Sequence, residues 1–239
     1  MDKKLGTLYI VSTPIGNLSD ITFRAVEILD FVDIIAAEDT RKSGILLSHY
    51  NINTKTISYF EHNKFQKIEK IEKILNKGEN VALITDAGTP GISDPAYKLI
   101  RKAIEIGCNI ESIPGPSAVV ASLTSSGLPT DRFIFEGFLP PKKGRKKRIE
   151  YLKAETGTIV IYENINMLQK TIKQLLDMLG DRPAVICREL TKIHEETIRG
   201  TLSSLLNLLN DRKLKGECVL LIGKDDKNVY FEYSIFYIV

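Results

Sequence analysis

Glu38 and Asp39 stand side by side, with Arg41 two positions on. Two carboxylates can accept protons or hydrogen bonds. A guanidinium beside them can hold a phosphate and lower their pKa values. We take Glu38, Asp39 and Arg41 as candidate substrate-facing groups; the plainer alternative is that Asp39 caps a helix and pairs locally with Arg41. Asp86 is a rival base, or a residue that fixes its own loop through backbone hydrogen bonds. His194 lies in a charged stretch, Arg188 to Glu196, and reads either as a titrating base or as a solvated surface group; His62 has the same two readings. The three histidines have no ligand spacing, so no metal site is expected. Lys142, Lys143, Arg145, Lys146, Lys147 and Arg148 place six positive charges in seven positions, broken only by Gly144. Such a run suits an RNA backbone, which it would bind through charge neutralisation with little sequence preference. It also suits a solvated loop and helix start.

These residues need elements to position them. Leu8–Val11, Asp33–Ala37, Val81–Ile84 and Ile110–Ile113 are short apolar runs that read as buried strands. Between them, residues 20–31, 65–75 and 96–106 carry helical spacing; Lys77-Gly78 and Gly107 are stop signals. Strand, loop and helix in repetition indicate a parallel sheet covered by helices. Four strand ends carry Gly, Pro or small hydroxyl residues: Thr13-Pro-Ile-Gly, Glu38-Asp-Thr-Arg, Asp86-Ala-Gly-Thr-Pro-Gly and Pro114-Gly-Pro-Ser. Each alone is an ordinary tight turn. Four at consecutive strand ends suggest a rigid cleft for a nucleoside-like ligand, since open parallel sheets bind ligands there. Neither a P-loop nor a Gly-x-Gly-x-x-Gly fingerprint is present.

The texture changes between residues 117 and 130. Beyond that point Phe133-Ile-Phe-Glu-Gly-Phe-Leu begins a second set of elements, with strands expected at 158–162, 184–188, 197–202 and 218–222 and helices at 167–179 and 203–210. We divide the chain into α/β domains of residues 1–117 and 118–239. The aromatic tail from Tyr230 to Val239 reads either as an added strand or as a packing segment. The chain's 239 residues are 43% hydrophobic and 26% charged, which permits an ordinary packed core and argues against wholesale disorder. A net charge of +3 does not announce a nucleic-acid partner. Cys108, Cys187 and Cys218 form no pair motif, which favours a reducing cytoplasm. No apolar stretch approaches the ~18 residues that span a bilayer, so no membrane partner is expected.

The segments Thr13-Pro-Ile-Gly-Asn-Leu-Ser-Asp-Ile-Thr, Ala37-Glu-Asp-Thr-Arg, Asp86-Ala-Gly-Thr-Pro-Gly-Ile-Ser-Asp-Pro, Ile113-Pro-Gly-Pro-Ser-Ala and Glu136-Gly-Phe-Leu-Pro have a further significance. Together they resemble the bacterial 16S rRNA 2′-O-ribose methyltransferases of the tetrapyrrole methylase superfamily, from about residue 7 to 223. The resemblance implies two α/β domains, a parallel sheet in the first and a mixed sheet in the second. It also implies a homodimer and S-adenosylmethionine (SAM) bound in the cleft between the domains. The implied activity is 2′-O-methylation of a cytidine ribose, with 16S rRNA or the small ribosomal subunit as partner. In the superfamily a Gly-Asp-Pro stretch holds SAM; here it reads Gly88-Thr89-Pro90, so whatever the acidic side chain supplies is missing, while backbone contacts are kept. By the same resemblance Pro14, Asp86, Ile92, Ser117 and Ala118 line the SAM pocket, with Tyr162 and Glu163 from the second domain. Two rival readings stay open: methylation of a tetrapyrrole or other small molecule, and a non-catalytic RNA-binding assembly factor.

Overall fold

Apolar runs with no polar alternation need cover on both faces, and the first half of the chain supplies it. In the computed structural model, which describes residues 5–60 and 64–224, the chain divides after Ser117 into two compact units. His62 and the tail from Tyr230 to Val239 lie outside the described residues.

The first unit runs β1 (Thr7–Val11), α1 (Phe23–Phe31), β2 (Ile34–Ala37), α2 (Thr40–His49), β3 (Thr56–Ser58), α3 (Lys64–Leu75), β4 (Val81–Ile84), α4 (Ala96–Glu105) and β5 (Asn109–Ile113). Its sheet has the order β3-β2-β4-β1-β5, and every pairing is parallel. Successive residues of each strand feed opposite cores. Leu8, Ile10, Ala36, Val81 and Leu83 pack with Ile71, Leu75 and Leu99 of α3 and α4. Val11, Ile35, Ala37, Ala82 and Ile84 pack with Ala25, Leu29 and Leu47 of α1 and α2. The parallel arrangement leaves the carboxyl ends of β1, β2, β4 and β5 on one edge, with their loops. A single turn of 3₁₀ helix, Leu18–Asp20, precedes α1, so that helix begins later than its apolar spacing suggested. Thr22 starts it instead, its hydroxyl accepting the Ala25 amide at 3.1 Å.

The second unit holds α5 (Ala118–Ser126), β6 (Phe133–Phe138), α6 (Arg145–Leu152), β7 (Thr158–Asn164), α7 (Ile165–Leu179), β8 (Pro183–Arg188), β9 (Glu196–Thr201), α8 (Leu202–Asp211) and β10 (Glu217–Ile222). Its sheet is mixed, in the order β6-β7-β10-β8-β9, with only β6 and β7 parallel. Ile159, Ile161, Ile186, Leu220 and Ile222 meet Ile149, Leu168, Ile172, Leu175 and Leu205 on one face, beneath α6, α7 and α8. Helix α5 packs against β8, β9 and β10. Among the described residues, no helix is long and apolar enough to cross a membrane.

Candidate active site at the strand ends of the first unit

The four strand-end turns are joined by hydrogen bonds. Ser12 and Thr13, buried at the end of β1, reach the loop after β4. The Thr13 amide donates to the Gly88 carbonyl at 2.9 Å, and the Gly88 amide returns the bond to Thr13 at 3.0 Å. The Thr13 hydroxyl donates to the Thr85 carbonyl at 3.1 Å. The Ser12 and Thr89 hydroxyls lie 2.9 Å apart, and Thr89 Oγ1 is also 3.3 Å from the Pro116 carbonyl. The loop after β5 is thereby drawn into the same cluster. Two glycines make this closeness possible. Gly88 has φ +83°, which a side chain rarely adopts. At Gly115 a Cβ would stand 2.9 Å from the Ser12 Cβ, closer than carbon atoms pack.

The end of β2 joins through charge. Glu38 accepts the Thr85 hydroxyl at 2.6 Å and the Asp86 amide at 3.4 Å. Asp86 accepts the Asp39 amide at 3.0 Å and Lys42 Nζ at 2.6 Å. Asp86 therefore fixes the neighbouring loop and the start of α2 rather than only its own turn. Asp39 caps α2 and also pairs with Arg41: its Oδ1 accepts Arg41 N and Nε, and its Oδ2 accepts Nη2 at 2.8 Å. The cap and the ion pair, weighed above against a substrate-facing role, are both present. The Arg41 hydrogen bonds hold the Asp39 carboxyl down to about 2. Its bond to Asp86 raises the Lys42 ammonium above the ordinary lysine value.

Three residues here were given no role of their own in the sequence. Lys42 sat one place beyond the Glu-Asp-Thr-Arg motif. Tyr59 is buried after β3, its hydroxyl donating to the Pro95 carbonyl at 3.1 Å, and burial pushes it up to about 12. Asp94 accepts the Gly91 amide on both oxygens, at 2.9 and 2.8 Å, and the Ala96 amide at 2.8 Å. Burial raises its pKa. Glu38, Tyr59, Thr85, Pro90 and Asp94 line a small cavity that opens to solvent. The signal for Asp94 was its place two residues before α4, where Asp commonly satisfies free amides.

Of the other expected residues, Pro14 and Pro90 are buried, Ser117 and Ala118 half-buried, and Ile92 exposed. These turns bring backbone amides, carbonyls and small hydroxyls together, with no side chain at Gly88. Thr89, standing where the superfamily has an acid, spends its hydroxyl on Ser12 and Pro116.

The second unit holds the remaining candidates, and two of them have buried side chains. Arg145 is not a surface cation. It shares the inner face of α6 with Ile149 and Leu152, and only 4% of it is exposed. Its guanidinium donates to Gln174 Oε1 at 2.8 Å, the Pro140 carbonyl at 3.2 Å, Glu163 Oε2 at 3.2 Å and the Thr171 hydroxyl. Glu163 is likewise turned inward. Strand alternation puts it on the face of Ile159 and Ile161, where it also accepts the Thr171 hydroxyl. Its side chain is committed to Arg145 and is not offered to a cofactor. Tyr162 takes the opposite face. Lys142, Lys143, Lys146 and Lys147 are exposed, and Arg148, half in solvent, pairs with Glu136. His194 is exposed, and its carbonyl accepts Arg188 Nη1 at 3.0 Å.

A protein of Halalkalibacterium halodurans named ribosomal RNA small subunit methyltransferase I is 46% identical over 224 residues, 93% of this chain and 78% of that one. A Thermotoga maritima protein of the same name is 43% identical, over 92% of this chain and all of its own length. Among solved structures, diphthine synthase superposes with a TM-score of 0.73 at 16% identity, covering 96% of this chain and 94% of that one. Uroporphyrin-III C-methyltransferase from Thermus thermophilus, complexed with S-adenosylhomocysteine, gives 0.65 at 15% identity, over 91% and 97%. Such low identities speak to the fold alone. Residues 7–206 match the tetrapyrrole (corrin/porphyrin) methylases, and the chain belongs to that family.

Proposed function

We propose that this protein transfers the methyl group of SAM to ribosomal RNA of the small subunit, at the 2′-oxygen of a cytidine ribose. The observation that carries this reading is the identity of 43–46% with the two ribosomal RNA methyltransferases, sustained over more than nine-tenths of the chain. In this reading the protein works in the cytoplasm as a homodimer.

SAM, when bound, supplies a methyl group already activated by its sulfonium. What is left to the protein is alignment, exclusion of water and help with the hydroxyl proton. The turns at Thr13–Pro14, Asp86–Ile92 and Ser117–Ala118 hold the cofactor through backbone groups. The Thr13–Gly88 and Ser12–Thr89 bonds keep those turns in register without the ligand's help. Asp39, held near 2 by Arg41, is too weak a base to take a proton from a ribose hydroxyl efficiently at neutral pH. We assign it instead to orienting Arg41, whose side chain is 89% exposed and free on its outer side to meet a phosphate. Glu38 faces the cavity beside Asp94 and is the carboxylate best placed to receive the proton. The exposed lysines of 142–147 neutralise the RNA backbone.

The test is labelled methyl transfer from SAM to purified small ribosomal subunits, with mass-spectrometric mapping of rRNA riboses in cells lacking the gene, with and without complementation. A single cytidine losing its 2′-O-methyl group and regaining it on complementation is the expected result. Intact rRNA methylation together with methyl transfer to a tetrapyrrole would replace this reading.

A further inference from the structure

Residues three apart on a regular strand point to opposite faces. Phe135 and Phe138 of β6 do not, because the register against β7 shifts between Phe135 and Gly137. The bulge returns Phe138 to the side of Phe135. Both rings meet Tyr162 of β7, at centroid distances of 4.9 and 5.6 Å and interplanar angles of 70° and 64°. Phe135 and Tyr162 are half-buried, whereas Phe138 keeps 62% of its surface in solvent.

A single exposed phenylalanine needs no explanation. This one is held by a second ring, on an edge strand, and leads into a cationic segment. Leu139 is buried, and the Pro140 carbonyl accepts the buried Arg145 guanidinium. The chain between the ring and the lysines is therefore anchored rather than loose. Lys142, Lys143, Lys146 and Lys147 follow, all exposed. A flat apolar face followed by exposed cationic charge suits a polyanion carrying flat bases.

We propose that Phe138 is a stacking platform for an unpaired base of the RNA substrate, while Lys142 and Lys143 neutralise the phosphates beside it. The proposal rests on the RNA reading above and goes beyond it, because it requires a splayed, single-stranded target. A base inside a duplex has no free face to offer a side chain.

The experiment measures binding of the full-length protein to two fluorescein-labelled strands about twelve nucleotides long, an oligocytidylate and an abasic strand of equal charge. The variants are Phe138→Ala, Phe138→Leu and Phe138→Trp. Phe138→Ala should weaken oligocytidylate binding about tenfold, as loss of one base–aromatic stack does. Binding to the abasic strand and the salt dependence should stay as in wild type. Phe138→Trp should restore binding and Phe138→Leu should not; thermal melting should change only slightly in all three, since most of the ring is in solvent and its ring contact is to Tyr162. The proposal is overturned by equal affinity of wild type and Phe138→Ala for oligocytidylate, by equal losses on both strands, or by full rescue with leucine. Loss of self-association in place of RNA binding would also overturn it and assign the ring to an interface between copies of the chain. Methyl transfer to small subunits by the wild type separates the two levels. If transfer occurs and Phe138→Ala binds normally, only the stacking falls; if wild type neither binds the strands nor methylates any rRNA, the function reading falls and the stacking with it.

Discussion

Arg41 and Asp39 pair at the solvent-facing start of α2, whereas Arg145 and Glu163 pair in the interior of the second unit. The chemistry is the same, and both pairs lie at residues that the sequence marked as functional. The Arg41 side chain is 89% exposed, so the pair is screened by water and salt and adds little to stability. Its effect is local: it keeps Asp39 ionised and Arg41 oriented. Arg145 and Glu163 have side chains 5% and 6% exposed. There neither charge can be left alone, and Thr171, Gln174 and the Pro140 carbonyl satisfy what the pair leaves over. One pair stands in solvent; the other holds the lysine-bearing helix against its sheet.

The sharpest way to break this comparison is Arg145→Met, which strands Glu163 in the interior. We expect a loss of about 3–5 kcal/mol in urea unfolding, with RNA binding of the remaining folded protein weakened because α6 is no longer pinned. Pairing it with Glu163→Met should recover most of the stability, since two apolar groups leave no buried charge. A neutral Arg145→Met would return this arginine to the surface cations.

Gly88→Val sharpens the first unit's side. A β-branched residue at φ +83° costs about 1–2 kcal/mol, and its side chain fills the space between the turns. Calorimetric titration should show SAM binding lost from a protein that still folds. Wild-type affinity in that variant would remove this loop from the cofactor site.

Replacing Lys142, Lys143, Lys146 and Lys147 with alanine tests the charges that Arg145 does not share. The RNA KM should rise, and the slope of log affinity against log salt should fall by about 0.7 for each phosphate that is no longer neutralised. SAM binding should be unaffected. An unchanged slope would leave these lysines as a solvated surface.

The smallest effect concerns Asp39. Its folded-state carboxyl titrates near 2 against an ordinary 3.8, so its contribution is present above about pH 4 and lost as the pH falls through 2. NMR titration should show this depressed value in wild type and a normal one in Arg41→Ala, with molar salt shrinking the difference. A value unmoved by Arg41→Ala would mean that another group holds it.

The pattern of legibility follows from which forces are local. Strands such as Val81–Ile84 are continuous apolar runs covered on both faces, and their boundaries could be read directly. Helix α2 could not, because Thr-Arg-Lys-Ser-Gly-Ile-Leu-Leu-Ser-His has no clear apolar period; it depends on the Asp39 cap and on burying Ser43, Leu46 and Leu47. Strand β3 is three residues at a sheet edge. Helix α5, rich in valine, serine and threonine, has poor helical propensity and is held by packing against the second sheet. The four turns were legible as a set, but their bonds were not: Ser12 to Thr89 and Lys42 to Asp86 cross long stretches of chain. Arg145 was misread although its spacing from Ile149 and Leu152 was visible, because a run of charge masked a helical face. The inward turn of the Glu163 side chain was likewise visible in its alternation with Ile159 and Ile161, but was subordinated to the family pattern.

The Ser12–Thr89–Pro116 junction has a mechanical consequence. Three strand ends that grip one another cannot yield one at a time, so a shift at any of these turns is transmitted to the others. Ligand entry should therefore leave the amide exchange of residues 12–13, 88–89 and 115 nearly unchanged, and damage at one of these turns should loosen all three.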